Sequence, residues 1–166
     1  GLVCAEDLDR AACTEADLGA RVDYIQAFDA KSPLFERAYT NFKELGSTHP
    51  LRVAHAAFCR AESEWLDNHA MFMALSDANG TLEWREWTEY VTPGKRAVMD
   101  REDPSRDAAT ELEDRIGFHQ FLQFQFFRQW LSLRTYARER GIRIVGDLPI
   151  YVAPNSSDAW GNQSLF

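Results

Sequence analysis

The chain is 166 residues long, 45% hydrophobic and 27% charged, a balance that supports a packed domain and excludes a disordered chain. A formal net charge of −8 and a pI near 5.0 argue against nucleic acid or an anionic membrane as partner, because both are bound through Lys/Arg-rich faces. Cys4, Cys13 and Cys59 form no CxxC pair and have no histidine at ligand spacing. No metal site is therefore expected, and a reduced, cytoplasmic protein is the simplest reading.

In chain order, residues 2–5 read as extended and 6–12 as a short helix. Thr14 with Asp17 three residues on is a helix-start pattern, and Asp23 is a candidate cap for the next helix. Ile25, Phe28, Leu34, Phe35, Ala38, Tyr39 and Phe42 recur at helical spacing. Pro33 interrupts them, so the pattern predicts a helix that begins at Pro33 with Ser32 as its cap and ends before Gly46. His49-Pro50 opens a second helix carrying Val53, Ala57, Phe58 and Ala61. After a break near Ser63 or Glu64, a third carries Trp65, Leu66, His69, Phe72, Met73 and Leu75, and Asn79-Gly80 stops it. Trp84, Trp87 and Tyr90 follow at three-residue spacing. Residues 95–107 are charged and contain Pro104, which predicts an exposed loop or an irregular helix start.

From about residue 105 to Arg140 the pattern is one long helix. Leu112, Ile116, His119, Leu122, Phe126, Trp130, Leu133 and Ala137 share one face, and Phe118, Phe121, Phe124, Phe127 and Leu131 widen it. So broad an apolar surface predicts burial on more than one side. Gly141 suits the left-handed turn past a helix end. Ile142, Ile144 and Val145 then predict a short buried strand, closed by Gly146-Asp147 and Pro149. An Asp at the carboxyl end of a parallel strand points to where α/β proteins bind ligands. The alternative is an Asp that only caps the following turn. The residues alone leave both open.

Other motifs carry little chemistry. His49, His55, His69 and His119 form no metal-binding pattern and read as capping or packing residues. Glu62, Glu64 and Asp67 read as a solvated helix face. The glycines match no phosphate loop or dinucleotide fingerprint, and no Ser lies in Gly-x-Ser-x-Gly.

The stretch Gly146-Asp147-Leu148-Pro149-Ile150-Tyr151-Val152-Ala153, with Ser156-Ser157-Asp158-Ala159-Trp160 and Leu165-Phe166, resembles a signature of the 4-α-glucanotransferases. These are also called amylomaltases or disproportionating enzymes and are relatives of the α-amylases. Phe126-Phe127-Arg128-Gln129-Trp130 and Gly141-Ile142-Arg143-Ile144-Val145 are similar to the helix and strand that precede that signature. Glu64-Trp65-Leu66 with Phe72-Met73-Ala74-Leu75 resembles a helical segment of the same family. The likeness spans most of the chain, is most specific from about Phe118 onward, and is thin between Thr81 and Asp107.

The resemblance implies a (β/α)8 TIM-type barrel, which needs eight strands and about 250 residues. A chain of this length cannot close one, so a piece of a longer enzyme is expected: mainly α as it stands, with a helical subdomain at 1–104 and one αβ unit at 105–166. That unit would comprise a barrel helix, a strand and the following loop. The implied reaction is retaining transfer of α-1,4-glucan segments, which needs a nucleophile and an acid/base carboxyl about 5–5.5 Å apart. In the family these lie in motifs that follow this stretch, so no catalytic residue is expected here and the chain alone should be inactive. Asp147 is expected to contact or support the donor sugar, with Asn155, Ser157 and Trp160 as pocket neighbours, although the family more often has an acid at position 155. Trp84, Trp87 and Tyr90 could stack on sugar rings or form the inner face of a short helix, and the inner-face reading is preferred. The implied partners are α-1,4-glucans and maltooligosaccharides, with no cofactor and no metal. The rival readings are an acidic helical binding module and another α-amylase-type barrel hydrolase.

Overall fold

The computed structural model describes residues 2–7, 23–87 and 106–166. The helix start at Thr14, Cys13, Tyr90 and most of the charged stretch at 95–107 lie outside them. The elements are helices α1 (Tyr24–Lys43), α2 (Pro50–Ala61), α3 (Ser63–Asn79), a 3-10 turn (Trp84–Glu86), α4 (Arg106–Glu139) and α5 (Ser157–Gly161). Among the described residues there is no strand. The chain divides into two compact units, Gly1–Ala56 and Ala57–Phe166.

In the first unit, α1 starts earlier than its apolar spacing predicts. Asp23 caps it, its carboxylate accepting from Ile25 N and Gln26 N at 3.0 Å each, which satisfies two of the four orphan donors of the first turn. The helix then runs through Pro33. Ser32, expected as the cap, instead donates its hydroxyl to the Phe28 carbonyl at 2.8 Å, a bond made inside a helix. Pro33 removes one hydrogen bond from the ladder without ending the helix. The apolar face is buried only toward the end of α1, at Tyr39 and Phe42. Phe42 meets His55 edge-on at 5.1 Å and lies beneath the Arg52 guanidinium at 4.8 Å. Asp7 is buried and paired with Arg37 at 2.9 Å, as a buried charge requires.

The second unit is built on α3 packed against α4, with α5 laid on α3. α3 buries Leu66, Ala70, Phe72, Ala74 and Leu75, and α4 buries Phe118, Phe121, Phe124 and Ala137. Aromatic rings knit the two ends: Phe58 lies 5.7 Å from Phe124 and 5.4 Å from Phe127, and Trp65 lies 5.7 Å from Phe127. Each fully buried Phe or Leu side chain contributes about 1.5–3 kcal/mol. α5 sits so close to α3 that a Cβ on Gly161 would come within 3.3 Å of the Asn68 amide.

α3 and α4 end in the same way. At Gly80 (φ 67°) and Gly141 (φ 71°) the backbone turns left-handed. Thr81 N then reaches Ser76 O at 3.3 Å, and Ile142 N reaches Ala137 O at 3.0 Å. The six-to-one bond across a glycine closes the last turn. The Asn79-Gly80 stop and the helix end at Gly141 are where the sequence puts them.

Two expectations fail. Residues 142–149 form no strand, and Ile142, Ile144 and Val145 are exposed, Val145 at 90%. A strand exists only through a ladder to a neighbour, and no described segment offers one. The second face of α4 is likewise uncovered, with Phe126, Leu131, Leu133 and Tyr136 each more than half exposed. A broad apolar surface specifies that a helix can be buried all round, not what buries it.

Candidate functional site

The stretch carrying the expected sugar contacts leaves α4 at Ile142 and returns to the packed core at α5. Between them, residues 142–154 lie outside any helix, and Leu148, Ile150 and Tyr151 are 84–88% exposed. Asp147 lies in this segment and is exposed. Its Oδ1 accepts from Leu148 N at 2.8 Å, the local contact of an Asp ahead of a proline turn. The outward carboxylate is an acceptor-only group, suited to hydroxyl or guanidinium donors.

The three residues expected beside it behave differently. Trp160 is 2% exposed and packs with Phe72, ring centres 5.9 Å apart, in a cluster with Leu75. It supports the region from the core and presents no face to a ligand. Ser157 is the first residue of α5, whose cap is Ser156: the Ser156 hydroxyl accepts from Ala159 N at 3.2 Å and donates to Ala153 O at 2.7 Å. Asn155 donates its side-chain amide to a carboxylate oxygen of Glu83. Asn155 is tied to the turn that follows α3, Trp160 packs on α3 and Ser157 opens the helix laid on it, while the Asp147 side chain accepts locally from Leu148 N.

That turn also settles the tryptophans. Trp87 packs on Phe72 at 5.3 Å and donates its indole N–H to Thr81 O at 2.9 Å. Trp84 packs against the same cluster and donates its indole N–H to Pro154 O at 2.9 Å. The Arg85 guanidinium covers the Trp84 ring at 4.3 Å. Both rings serve packing, the inner-face reading, and neither is an open plate.

A second polar group was not legible as a motif. Asp77, near the end of α3, receives Arg115 Nε at 3.1 Å and the Arg115 Nη2 atom, and His119 Nε2 lies 2.8 Å from the same oxygen. Burial pushes the Asp77 carboxyl up, but the hydrogen bonds and charges of Arg115 and His119 outweigh it and hold the group below its ordinary value. One turn further along α4, Gln123 meets His69 Nε2 at 3.1 Å. Burial first, and the neighbouring His119 second, lower the His69 pKa against an opposing pull from Asp158. The available signal was Arg115 and His119 four apart on one face of a helix, two hydrogen-bonding groups that an acid opposite would serve.

The remaining histidines cap and pack: His49 Nδ1 accepts from Leu51 N at 3.1 Å, and His55 meets Phe42. Glu62 and Asp67, read as a solvated face, accept from the Trp65 indole at 2.7 Å and from Gln120 at 3.2 Å. Among the described residues no group of three His, Cys, Asp or Glu could hold a metal ion, and no helix is long and apolar enough to cross a membrane.

Comparison with known proteins gives this geometry a context. The family model described as 4-alpha-glucanotransferase matches residues 3–166. The chain is 40% identical over 146 residues to the 4-alpha-glucanotransferase of Thermus thermophilus, covering 88% of this chain and 28% of that protein. It is 34% identical over 169 residues to that of Streptococcus pneumoniae, covering 100% of this chain and 31% of that protein. The solved amylomaltase of Streptococcus agalactiae in complex with acarbose superposes with a TM-score of 0.67 at 28% identity, over 96% of this chain and 32% of that one. The chain therefore spans less than a third of the length of these relatives. Matched along nearly all of its own length, with its helical scaffold shared with a solved amylomaltase, the chain belongs to the 4-alpha-glucanotransferase family.

Proposed function

We propose that this chain is part of a longer 4-α-glucanotransferase that cleaves an α-1,4 glucan, holds the glycosyl unit covalently with retention, and passes it to the 4-hydroxyl of another sugar. The observation that carries this reading is the family match across residues 3–166. The acarbose complex of the Streptococcus agalactiae protein supports an oligosaccharide as ligand. In this reading residues 1–104 are a helical subdomain and 105–166 the helix, strand and loop of one barrel unit. The uncovered faces of α4 and of residues 142–152 are then where the other strands of a (β/α)8 barrel pack. A strand at 142–145 would form when its ladder partners are present.

The chemistry divides accordingly. Asp147 offers charge-assisted hydrogen bonds to sugar hydroxyls, and Ser157 and Trp160 support the loop from behind. The nucleophile and the acid/base carboxyl come from outside this segment, so the 166 residues alone bind without reacting. Transfer must outrun hydrolysis, which requires a site that excludes water once the glycosyl unit is bound. The charge and cysteine usage fit a cytoplasmic enzyme acting on a neutral substrate without cofactor. Maltotriose incubated with the longer protein should yield glucose together with longer maltooligosaccharides by chromatography. Shortening alone would favour a hydrolase, and no change a binding module.

A further inference from the structure

Two hydrogen bonds bridge some seventy residues of sequence to reach the loop just past the signature stretch. Trp84 Nε1 donates to Pro154 O at 2.9 Å, and Asn155 donates its amide to Glu83. The turn making these contacts is itself held firmly. Ser76, buried in α3, donates its hydroxyl to Thr81 O at 3.0 Å, and the Trp87 indole donates to the same carbonyl at 2.9 Å. Glu83 N donates to Thr81 Oγ1 at 3.1 Å. At the opposite end of the signature stretch, Ile142 N is fixed to Ala137 O across Gly141. Residues 146–153 are therefore a strap whose near end follows the 142–145 strand of the proposed barrel and whose far end is tied at Pro154 and Asn155, with Asp147 between them and Leu148, Ile150 and Tyr151 each 84–88% exposed.

We propose that the Glu83–Trp84 pair is a positioning clamp that fixes the far end of this strap, and with it the carboxylate of Asp147, for glucan binding. Asn155 then holds the loop and does not touch sugar. The inference rests on the glucanotransferase reading. Its physical basis is chain closure: a strap tied at both ends samples far fewer conformations than one tied at a single end, so less ordering remains to be done when ligand binds. Glu83 and Asn155 supply one acceptor and one donor, and Trp84 supplies an indole N–H that Phe lacks. Loss of either contact leaves the core in place and loosens the strap.

The test uses the longer enzyme that contains this chain. Trp84→Phe keeps an aromatic ring and removes the N–H. Asn155→Asp sets two carboxylates against each other, and Glu83→Gln added to it restores a donor–acceptor pair with the roles exchanged. The expected result for Trp84→Phe and Asn155→Asp is a KM for maltotriose raised about 5- to 30-fold with kcat changed less than about 3-fold. Chymotrypsin cleavage after Tyr151, exposed in the strap, should quicken about tenfold or more in both. The double variant Glu83→Gln/Asn155→Asp should recover KM and cleavage to within about 3-fold of wild type. Unchanged KM and cleavage in Trp84→Phe overturn the clamp, as does a general loss of thermal stability with no recovery in the double variant. A wild-type enzyme without transfer activity overturns the glucan reading instead. In that case the cleavage rates still decide whether Glu83 and Trp84 hold the strap.

Discussion

His119 Nε2 lies 2.8 Å from Asp77 Oδ2, joining α4 to the end of α3 across 42 residues of sequence. The same oxygen takes the Arg115 guanidinium, so one carboxylate serves a guanidinium and an imidazole a helical turn apart. The Asp77 side chain is 35% exposed, which screens the pair and tempers its worth. Asp77→Asn should lower the stability of the chain by about 1–2 kcal/mol, read as a fall of the thermal midpoint by roughly 2–8 °C. Asp77→Asn in an Arg115→Met background should cost less than the sum of the single changes, because the partners are shared.

Acid should destabilise the fold in two stages. The folded state lowers His69 and His55, in both cases chiefly by burial. As pH falls below about 6.5, the unfolded chain takes up protons that these folded histidines resist, and stability declines. Asp77 contributes in the opposite charge sense: its carboxylate is held ionised, and the stability this gives is lost as pH falls through its lowered folded value. Urea midpoints at about pH 7.5, 5.5 and 3.5 should therefore fall in sequence. His69→Gln should flatten the first interval and leave the second.

Gly141 sits at φ 71°, with nothing within 4 Å of the position a Cβ would take. Gly141→Ala should cost about 1–2 kcal/mol through backbone strain alone, and Gly141→Asn, which tolerates this conformation better, should cost less. Denaturant midpoints with an unchanged slope would show that the loss lies in the helix end and not in the core.

Trp160 fills the cluster formed with Phe72 and Leu75. Trp160→Ala should destabilise the chain by about 3–5 kcal/mol. If instead Trp160 faced a ligand, the same change would spare the thermal midpoint and reduce glucan binding.

Asp147→Asn, placed in the longer transferase, should leave the thermal midpoint nearly unchanged and lower kcat/KM by roughly 10- to 1000-fold. A carboxylate accepting from sugar hydroxyls loses its charge-assisted bonds on conversion to an amide. Were Asp147 only a turn residue, accepting from Leu148 N as it does here, Asn would replace it with little effect on either quantity.

Helix positions were well marked in the sequence because their signals are local. Asn79-Gly80, Gly141, His49-Pro50 and Asp23 each act within one turn, and the structure honours all four. Pro33 misled because a propensity penalty of a few kcal/mol is set against a whole capped helix. Ile142, Ile144 and Val145 misled for a different reason: β-branched residues state a preference for a ladder, and the ladder needs a second strand. Of the site, the signature stretch was legible as a motif. The Trp84–Pro154 and Glu83–Asn155 contacts were not, since no spacing rule connects residues some seventy positions apart.

Pro33 also has a bearing on how α1 comes apart. Its missing N–H leaves no donor for the carbonyl of Asp29, and ahead of it Tyr24, Ile25 and Phe28 are 80%, 76% and 68% exposed, whereas Tyr39 and Phe42 behind it are buried. The helix is thus two lengths of unequal tenacity spliced at one residue. The front length can open while the rear stays closed, so limited trypsin should cut after Lys31 before it cuts after Arg37, whose side chain is tied to buried Asp7.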